Sequence, residues 1–506
     1  MREDDEIRAG PLSLGEPVQL GSRRVTLDVV VQIVARILNL ALGVVVTFIL
    51  ARGLGSSDFG TWSTLFAACQ IAGSFGELGL TQVTVSRAAA EPDREPEWLG
   101  ALLLLRLLVV IPITIASLIA VLLIAPTPQD QVAGALIALV ALVGAPGVIG
   151  AVFQLRIRND ISMAIMTLNS IFWAAAVIVV AALSGGITAF AAAFLFTTGL
   201  MTLLSIVIAL RFTKVRLRGA HRLWTPLLRV GVGVGVAGIF VTSYVKLDQI
   251  LVYEFAGSHQ AGLYGAAYRL LDQVQFIPIS MMTTLFPLIA AAYASNRDRV
   301  KNLLQASGEY LSMASLPILA FTIVAARPIM VLLFGPAYAA AAPALPILAG
   351  AFVSISFGYL VGNMVVVLEL QRRFALYAGI GLLLNAALNV VLIPRYGFLA
   401  AAWVTLLTEV TVMSLSARSV LGKLQMRPRT NRLLRTLAAA SVMGVTTLLA
   451  RIAGMPLAGL AAVAALSYFP CLLALRVLTV GEIRSVLRKE PPAAVDEPKA
   501  SASPMP

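Results

Sequence analysis

Two cysteines and two histidines among 506 residues leave nothing for a disulfide framework or a thiol-and-imidazole metal site. Cys69 and Cys471 each stand alone in an apolar run, where a free cysteine behaves as a small hydrophobe. His221 and His259 fall in separate polar connections. Charge is scarce as well: 12% of the residues are Asp, Glu, Lys or Arg, against about 25% in an ordinary soluble domain. There is no G-x-x-x-x-G-K-[ST] loop to cradle the phosphates of ATP. A nucleophile elbow and an H-E-x-x-H helix are also missing, and the connections expected on the outer side are too short to carry an enzyme's groups. These absences argue against an enzyme, and neither a cofactor nor a metal is expected.

Apolar residues make up 59% of the chain instead, with a mean hydropathy of +0.90. No soluble core hides that much apolar surface, so the sequence specifies an all-α polytopic membrane protein. Runs of the ~20 residues needed to cross a bilayer recur from 29–51 to 455–477, about fourteen in all. The positive charges test that count. With an even number of spans, roughly 29 of the 38 lysines and arginines fall on one side, in the two tails and every second connection. Because cytoplasmic loops collect Lys and Arg, both termini are placed in the cytoplasm. The net charge of +13 has the same origin, and no nucleic-acid partner is implied.

Two stretches about 200 residues apart echo one another. Gly55-Ser56-Ser57-Asp58-Phe59-Gly60-Thr61-Trp62 and Gly257-Ser258-His259-Gln260-Ala261-Gly262-Leu263-Tyr264 share the same glycine, serine and aromatic spacing, and each joins two apolar runs. Internal repeats of this kind divide a chain. A weaker echo pairs Gly186-Ile187-Thr188-Ala189 with Gly397-Phe398-Leu399-Ala400. The expected organisation is a disordered tail at 1–24, an N-lobe of six helices over 25–210 and a basic cytoplasmic linker at 211–225. A pseudo-symmetric C-lobe of six helices over 226–417, two further helices within 418–480 and a second disordered tail at 481–506 complete it.

The stretch 242–276 holds five ionisable residues inside or beside apolar runs: Lys246, Asp248, Glu254, Arg269 and Asp272. Each charge in hydrocarbon costs at least a few kcal/mol, so such groups face a cavity or one another. The cations Arg36, Arg52, Lys246 and Arg269 are candidates for the wall of a polar chamber that binds an anion. Each has a bland alternative. Arg36, with Gln32 and Asn39 on the same face, could snorkel to the headgroups, and Arg52 could be an interfacial anchor. Arg269 could pair with Asp272 at i, i+3. Asp248, Asp272, Glu77 and Glu409 are candidates for ion coupling or for charge pairing.

Four pieces of the chain together resemble the oligosaccharide flippase family, the polysaccharide-transporter branch of the multidrug/oligosaccharidyl-lipid/polysaccharide exporter superfamily. They are Leu50-Ala51-Arg52-Gly53-Leu54-Gly55 with Asp58-Phe59-Gly60, the hairpin from Asp248 to Arg269, Arg327-Pro328-Ile329 through Phe334-Gly335 with Tyr338, and Leu388-Asn389-Val390-Val391-Leu392-Ile393-Pro394-Arg395-Tyr396-Gly397. The resemblance implies two six-helix lobes about a central cavity. It also implies a flippase that moves an undecaprenyl-diphosphate-linked oligosaccharide from the inner to the outer leaflet by alternating access. The setting implied is the bacterial cytoplasmic membrane, with membrane lipids and polysaccharide polymerase or export machinery as partners. Arg36, Arg52 and Arg269 stand where that family often carries Arg or Lys. The alternatives are a flippase for a lipid-linked peptidoglycan precursor, whose branch also has fourteen helices, and a drug/cation antiporter of the same superfamily. A cation carrier calls for an acidic cavity, whereas the embedded residues here lean basic.

Overall fold

The computed structural model describes residues 22–156 and 158–478, and all regular structure among them is helical. Residues 1–21 and 479–506, which hold nearly all of the two expected tails, lie outside the described residues, as does the side chain of Gln32. Fifteen α-helices are found among the described residues. The first seven are α1 (Ser22–Glu77), α2 (Leu80–Ala90), α3 (Glu95–Ile124), α4 (Pro128–Gly144), α5 (Ala151–Leu155), α6 (Asn159–Ala182) and α7 (Ile187–Ala209). They are followed by α8 (Trp224–Val274), α9 (Phe276–Ser295), α10 (Arg297–Phe334) and α11 (Ala344–Val367). The last four are α12 (Gln371–Tyr396), α13 (Phe398–Leu424), α14 (Asn431–Ile452) and α15 (Leu457–Ala474).

Twelve stretches among the described residues are long and apolar enough to cross a membrane. Two of them, Leu38–Ala90 (53 residues) and Gly235–Tyr293 (59 residues), exceed twice the ~20 residues that one crossing requires. Each is broken at a glycine: Gly55 at φ 72°, ψ 175° in α1, and Gly257 at φ 86°, ψ 167° in α8. Glycine adopts that left-handed backbone without the penalty an L side chain meets. The polar turns expected at 55–60 and 257–262 are therefore each a single residue, with helix resuming at once. Fourteen spans are expected from the sequence; the two longest of the twelve stretches described each contain one of these breaks. The expected ninth span, 308–326, also differs. Its helix runs on through Pro317 and Pro328 to Phe334 and stops at Gly335, because neighbouring helices compensate for the bonds a proline removes.

Helix α1 packs on α3, α4, α6 and α7, and α8 packs on α11, α12 and α13, while α1 and α8 lie against each other. Helices α14 and α15 pack together and against α10. One apolar cluster spans the α1–α8 junction, with Leu50, Phe59 and Trp62 from α1, Tyr264 from α8, Phe334 from the end of α10 and Tyr338 from the turn that follows it. On the outside, leucines such as Leu123, Leu183 and Leu383 stand fully in the open, as lipid-facing positions require.

Candidate functional site

The α1–α8 junction is tightest beside the two glycine breaks. A Cβ on Gly60 would overlap the carbonyl of Ser258, and one on Gly262 would overlap the carbonyl of Ser56. These are equivalent positions of the repeated segments, so each half seats the other's backbone. The Ser56 hydroxyl lies 2.7 Å from His259 Nδ1 across the same contact. Nearby, the ends of two helices are capped reciprocally. Tyr338 donates to the Ala51 carbonyl at 3.0 Å, and Arg52 donates to the Leu332 carbonyl at 2.5 Å. Both carbonyls lie in a last helical turn, where intrahelical donors run out, and a cation suits the negative end of a helix. Arg52 thus belongs to a seam that holds α1 against α10.

Beside the seam α1 and α8 part around a narrow polar recess lined by Ser63, Phe66, Gln70, Lys246, Tyr268 and Arg269, among others. Lys246 lies 5.4 Å from the Tyr268 ring centre and 3.7 Å from Asp272. Arg269 lies 5.6 Å from the centre of Phe66, a ring that itself packs against Phe194 at 5.7 Å. A cation over an aromatic face gains ~0.5–2 kcal/mol and keeps its charge. The i, i+3 ion pair of Arg269 with Asp272, the alternative to a ligand role, is not found among the described residues. Asp272 takes Lys246 from the other arm of α8, since the break at Gly257 folds that arm alongside. Arg36 stands elsewhere, roughly 28 Å along α1 from Gly55 at 1.5 Å per residue. Among the described residues it hydrogen-bonds to Thr283 of α9, at 3.4 Å.

The acidic candidates separate into three environments. Glu77 pairs with Arg106 at 2.6 Å, which is the charge-pairing alternative. Asp248 is fully buried, and its carboxylate accepts from Tyr264 (3.0 Å), Thr405 (2.5 Å) and Asn389 (2.6 Å). Those donors come from α8, α13 and α12, so one carboxylate fastens three elements. Glu409, on α13, faces a second chamber with Asp272. Sequence reasoning missed the donors around Asp248, because Asn389 and Thr405 are ordinary residues of apolar runs until the fold assembles them. Asn389 lies in a quoted motif, but nothing there marks it as a carboxylate partner.

A large apolar groove runs on the other face of the second arm of α8. Its volume is about 1070 Å³, and no charged residue lines it among the described residues. Helix α8 divides the two spaces. Tyr268, Arg269 and Asp272 face the polar recess, while Leu270, Gln273 and Val274 face the groove. The groove is completed by Phe48 of α1, Ile318 and Phe321 of α10, Met443 of α14 and Tyr468 of α15.

Comparison with known proteins places this geometry. The family model described as "Polysaccharide biosynthesis protein" matches residues 49–343, more than half of the chain. The chain belongs to the polysaccharide biosynthesis protein family. A curated relative, the probable flippase AglR of Haloferax volcanii, is 25% identical over 211 residues. That match takes in 40% of this chain and 43% of the relative, so the chain spans about two fifths of that protein's length. The family member described here also shares its fold with solved transporters. A lipid II flippase MurJ in an inward closed conformation superposes with a TM-score of 0.67 at 12% identity, over 91% of this chain and 99% of that one. An inward-facing multidrug resistance MATE family transporter of the MOP superfamily gives 0.59 at 16% identity, over 76% and 94%. The fold is therefore that of the MurJ and MATE transporters.

Proposed function

We propose that this protein is a flippase that carries a lipid-linked oligosaccharide, with an undecaprenyl-diphosphate anchor, from the inner to the outer leaflet of a bacterial cytoplasmic membrane. The observation that carries the reading is the division of space by the second arm of α8. Cations lie on one side, in Lys246 and Arg269, and an uncharged groove of about 1070 Å³ lies on the other. That groove exceeds the ~300–1,000 Å³ of ordinary small-molecule pockets, which suits a long hydrocarbon chain. A diphosphate crossing hydrocarbon unaided is prohibitive, whereas arginine binds phosphate oxygens in a two-pronged, charge-assisted way. In this reading Arg36 receives the diphosphate first, its guanidinium being held among the described residues only by a long hydrogen bond to Thr283. The lobes of 25–210 and 226–417 would rock about the α1–α8 contact, with the glycine-break seam as the outer closure and both termini cytoplasmic. Asp248, fastening α8, α12 and α13, is the proposed coupling group, since a bound proton or cation there changes how three helices are held.

A lipid-linked peptidoglycan precursor is the second reading. It is favoured by the contribution of α14 and α15, the helices outside the repeat, to the apolar groove. Both readings share the diphosphate and the lipid, so one experiment serves. The protein is reconstituted into liposomes with a polyprenyl-diphosphate oligosaccharide or with a peptidoglycan precursor, and leaflet exchange is read by protection of the glycan. Arg36→Ala should slow exchange by about 10- to 100-fold, the range of ~1.5–3 kcal/mol for a hydrogen bond to a charged group. Wild-type exchange by that variant would contradict the reading.

A further inference from the structure

A second chamber, of about 370 Å³, opens between the arms of α8, α11 and α13 and shares Tyr268 and Asp272 with the recess. Its lining departs from the cationic character of that recess. Tyr244, Tyr268 and Tyr359 contribute rings and hydroxyls, Asp272 and Glu409 contribute carboxylates, and Ser416 contributes a hydroxyl. Two of these polar atoms have no partner among the described residues. There the Tyr268 hydroxyl and the Ser416 hydroxyl make no hydrogen bond, although the residues are only 6% and 3% exposed. Burying an unsatisfied hydroxyl costs about 1–3 kcal/mol, so such atoms call for a ligand or water. Others are already oriented. Tyr359 donates to Gln275 at 3.0 Å, and Gln275 reaches Asp272 at 3.5 Å, which fixes that carboxylate at the chamber wall.

One wall is bare backbone. Gly358 and Gly362 sit one turn apart on α11, both line the chamber, and a Cβ on either would meet nothing within 4 Å. The space is therefore open in front of them rather than filled by a packed neighbour.

We propose that this chamber is a glycan subsite that takes a hydroxyl-rich sugar ring of the transported molecule. The proposal rests on the flippase reading for its substrate class and adds where the sugar binds. Carboxylates accept from neighbouring ring hydroxyls, free tyrosine and serine hydroxyls can donate or accept, and an aromatic face covers the apolar side of a ring. The volume lies at the lower end of the ~300–1,000 Å³ of small-molecule pockets, enough for a sugar ring. A diphosphate does not fit the same wall, because Asp272 and Glu409 would repel it while Lys246 and Arg269 face the adjoining recess.

The test is saturation-transfer NMR on the purified full chain in detergent, with methyl glycosides and N-acetylglucosamine as soluble probes at millimolar concentration. Wild type should pass saturation to a glycoside. Gly362→Leu, whose Cβ meets nothing within 4 Å and whose side chain would occupy the chamber, should abolish the signal. Gly238→Leu, where a Cβ likewise meets open space but at an exposed position off the chamber, should leave it intact. Tyr268→Phe and Ser416→Ala should each weaken it by roughly two- to ten-fold, the worth of one neutral hydrogen bond. The proposal is overturned if no glycoside receives saturation, if Gly362→Leu keeps the signal, or if sodium alone perturbs these residues while sugars do not, which marks a cation site. Glycoside binding without lipid exchange would sink only the transport reading, and lipid exchange without glycoside binding would sink only this one.

Discussion

The Asp248 carboxylate ties α8 to α12 and α13 through Asn389 and Thr405. A buried carboxylate with three donors and no cation among its hydrogen-bond partners is stable only while those donors stay in place. Asp248→Asn keeps the size but replaces an acceptor oxygen with a donor, so at least one of the three contacts is lost. Expression and membrane insertion should persist, while any dependence of leaflet exchange on a proton or sodium gradient disappears. Gradient-dependent exchange by the variant would show that coupling lies elsewhere. Arg52 is legible in sequence only as a cation at a helix end, and the choice between anchor and ligand stays open there. The structure shows what it holds, the last-turn carbonyl of Leu332. Tyr338→Phe removes the reciprocal cap on Ala51 and should cost the seam about 1 kcal/mol, with the folded protein otherwise intact. A shift toward faster opening in a distance measurement across the seam would show it; an unchanged distribution would deny the cap that role.

Among elements, the two broken helices are decisive. Their existence is legible in the sequence, since two glycine-serine segments about 200 residues apart stand at equivalent places between apolar runs. Their reciprocal contact is not legible, because nothing in a repeat says that its copies touch. Gly60 and Gly262 are conspicuous only once Ser258 and Ser56 are seen against them. Gly262→Val should force the Ser56 carbonyl away and open the seam, raising the accessibility of a cysteine introduced nearby to an impermeant thiol reagent. Labelling equal to that of the unsubstituted chain would mean that the close approach holds nothing shut. The cap at α13 shows the same limit. The Gly397-Phe398 echo is visible in sequence, but the side chain that completes it is Gln260, whose amide oxygen accepts from the Phe398 N–H at 3.1 Å. The span boundaries near Arg327-Pro328 misled because proline reads as a terminator, whereas in a packed apolar bundle it is tolerated.

For the whole molecule, composition settled the class, and the alternation of positive charge suggested the orientation before any geometry was available. The division between recess and groove was beyond reach, because it depends on which face of the second arm of α8 meets which neighbour. The central claim is that the seam beside Gly55 and Gly257 must open before a lipid-linked headgroup can pass to the outer leaflet. The most direct test places cysteines at Ser56 and His259, whose side chains stand 2.7 Å apart, in a chain with Cys69 and Cys471 replaced. Leaflet exchange of the polyprenyl-diphosphate oligosaccharide is then measured in liposomes before and after oxidation. The account expects exchange to stop when the bridge forms and to return on reduction; undiminished exchange with the bridge intact would contradict it.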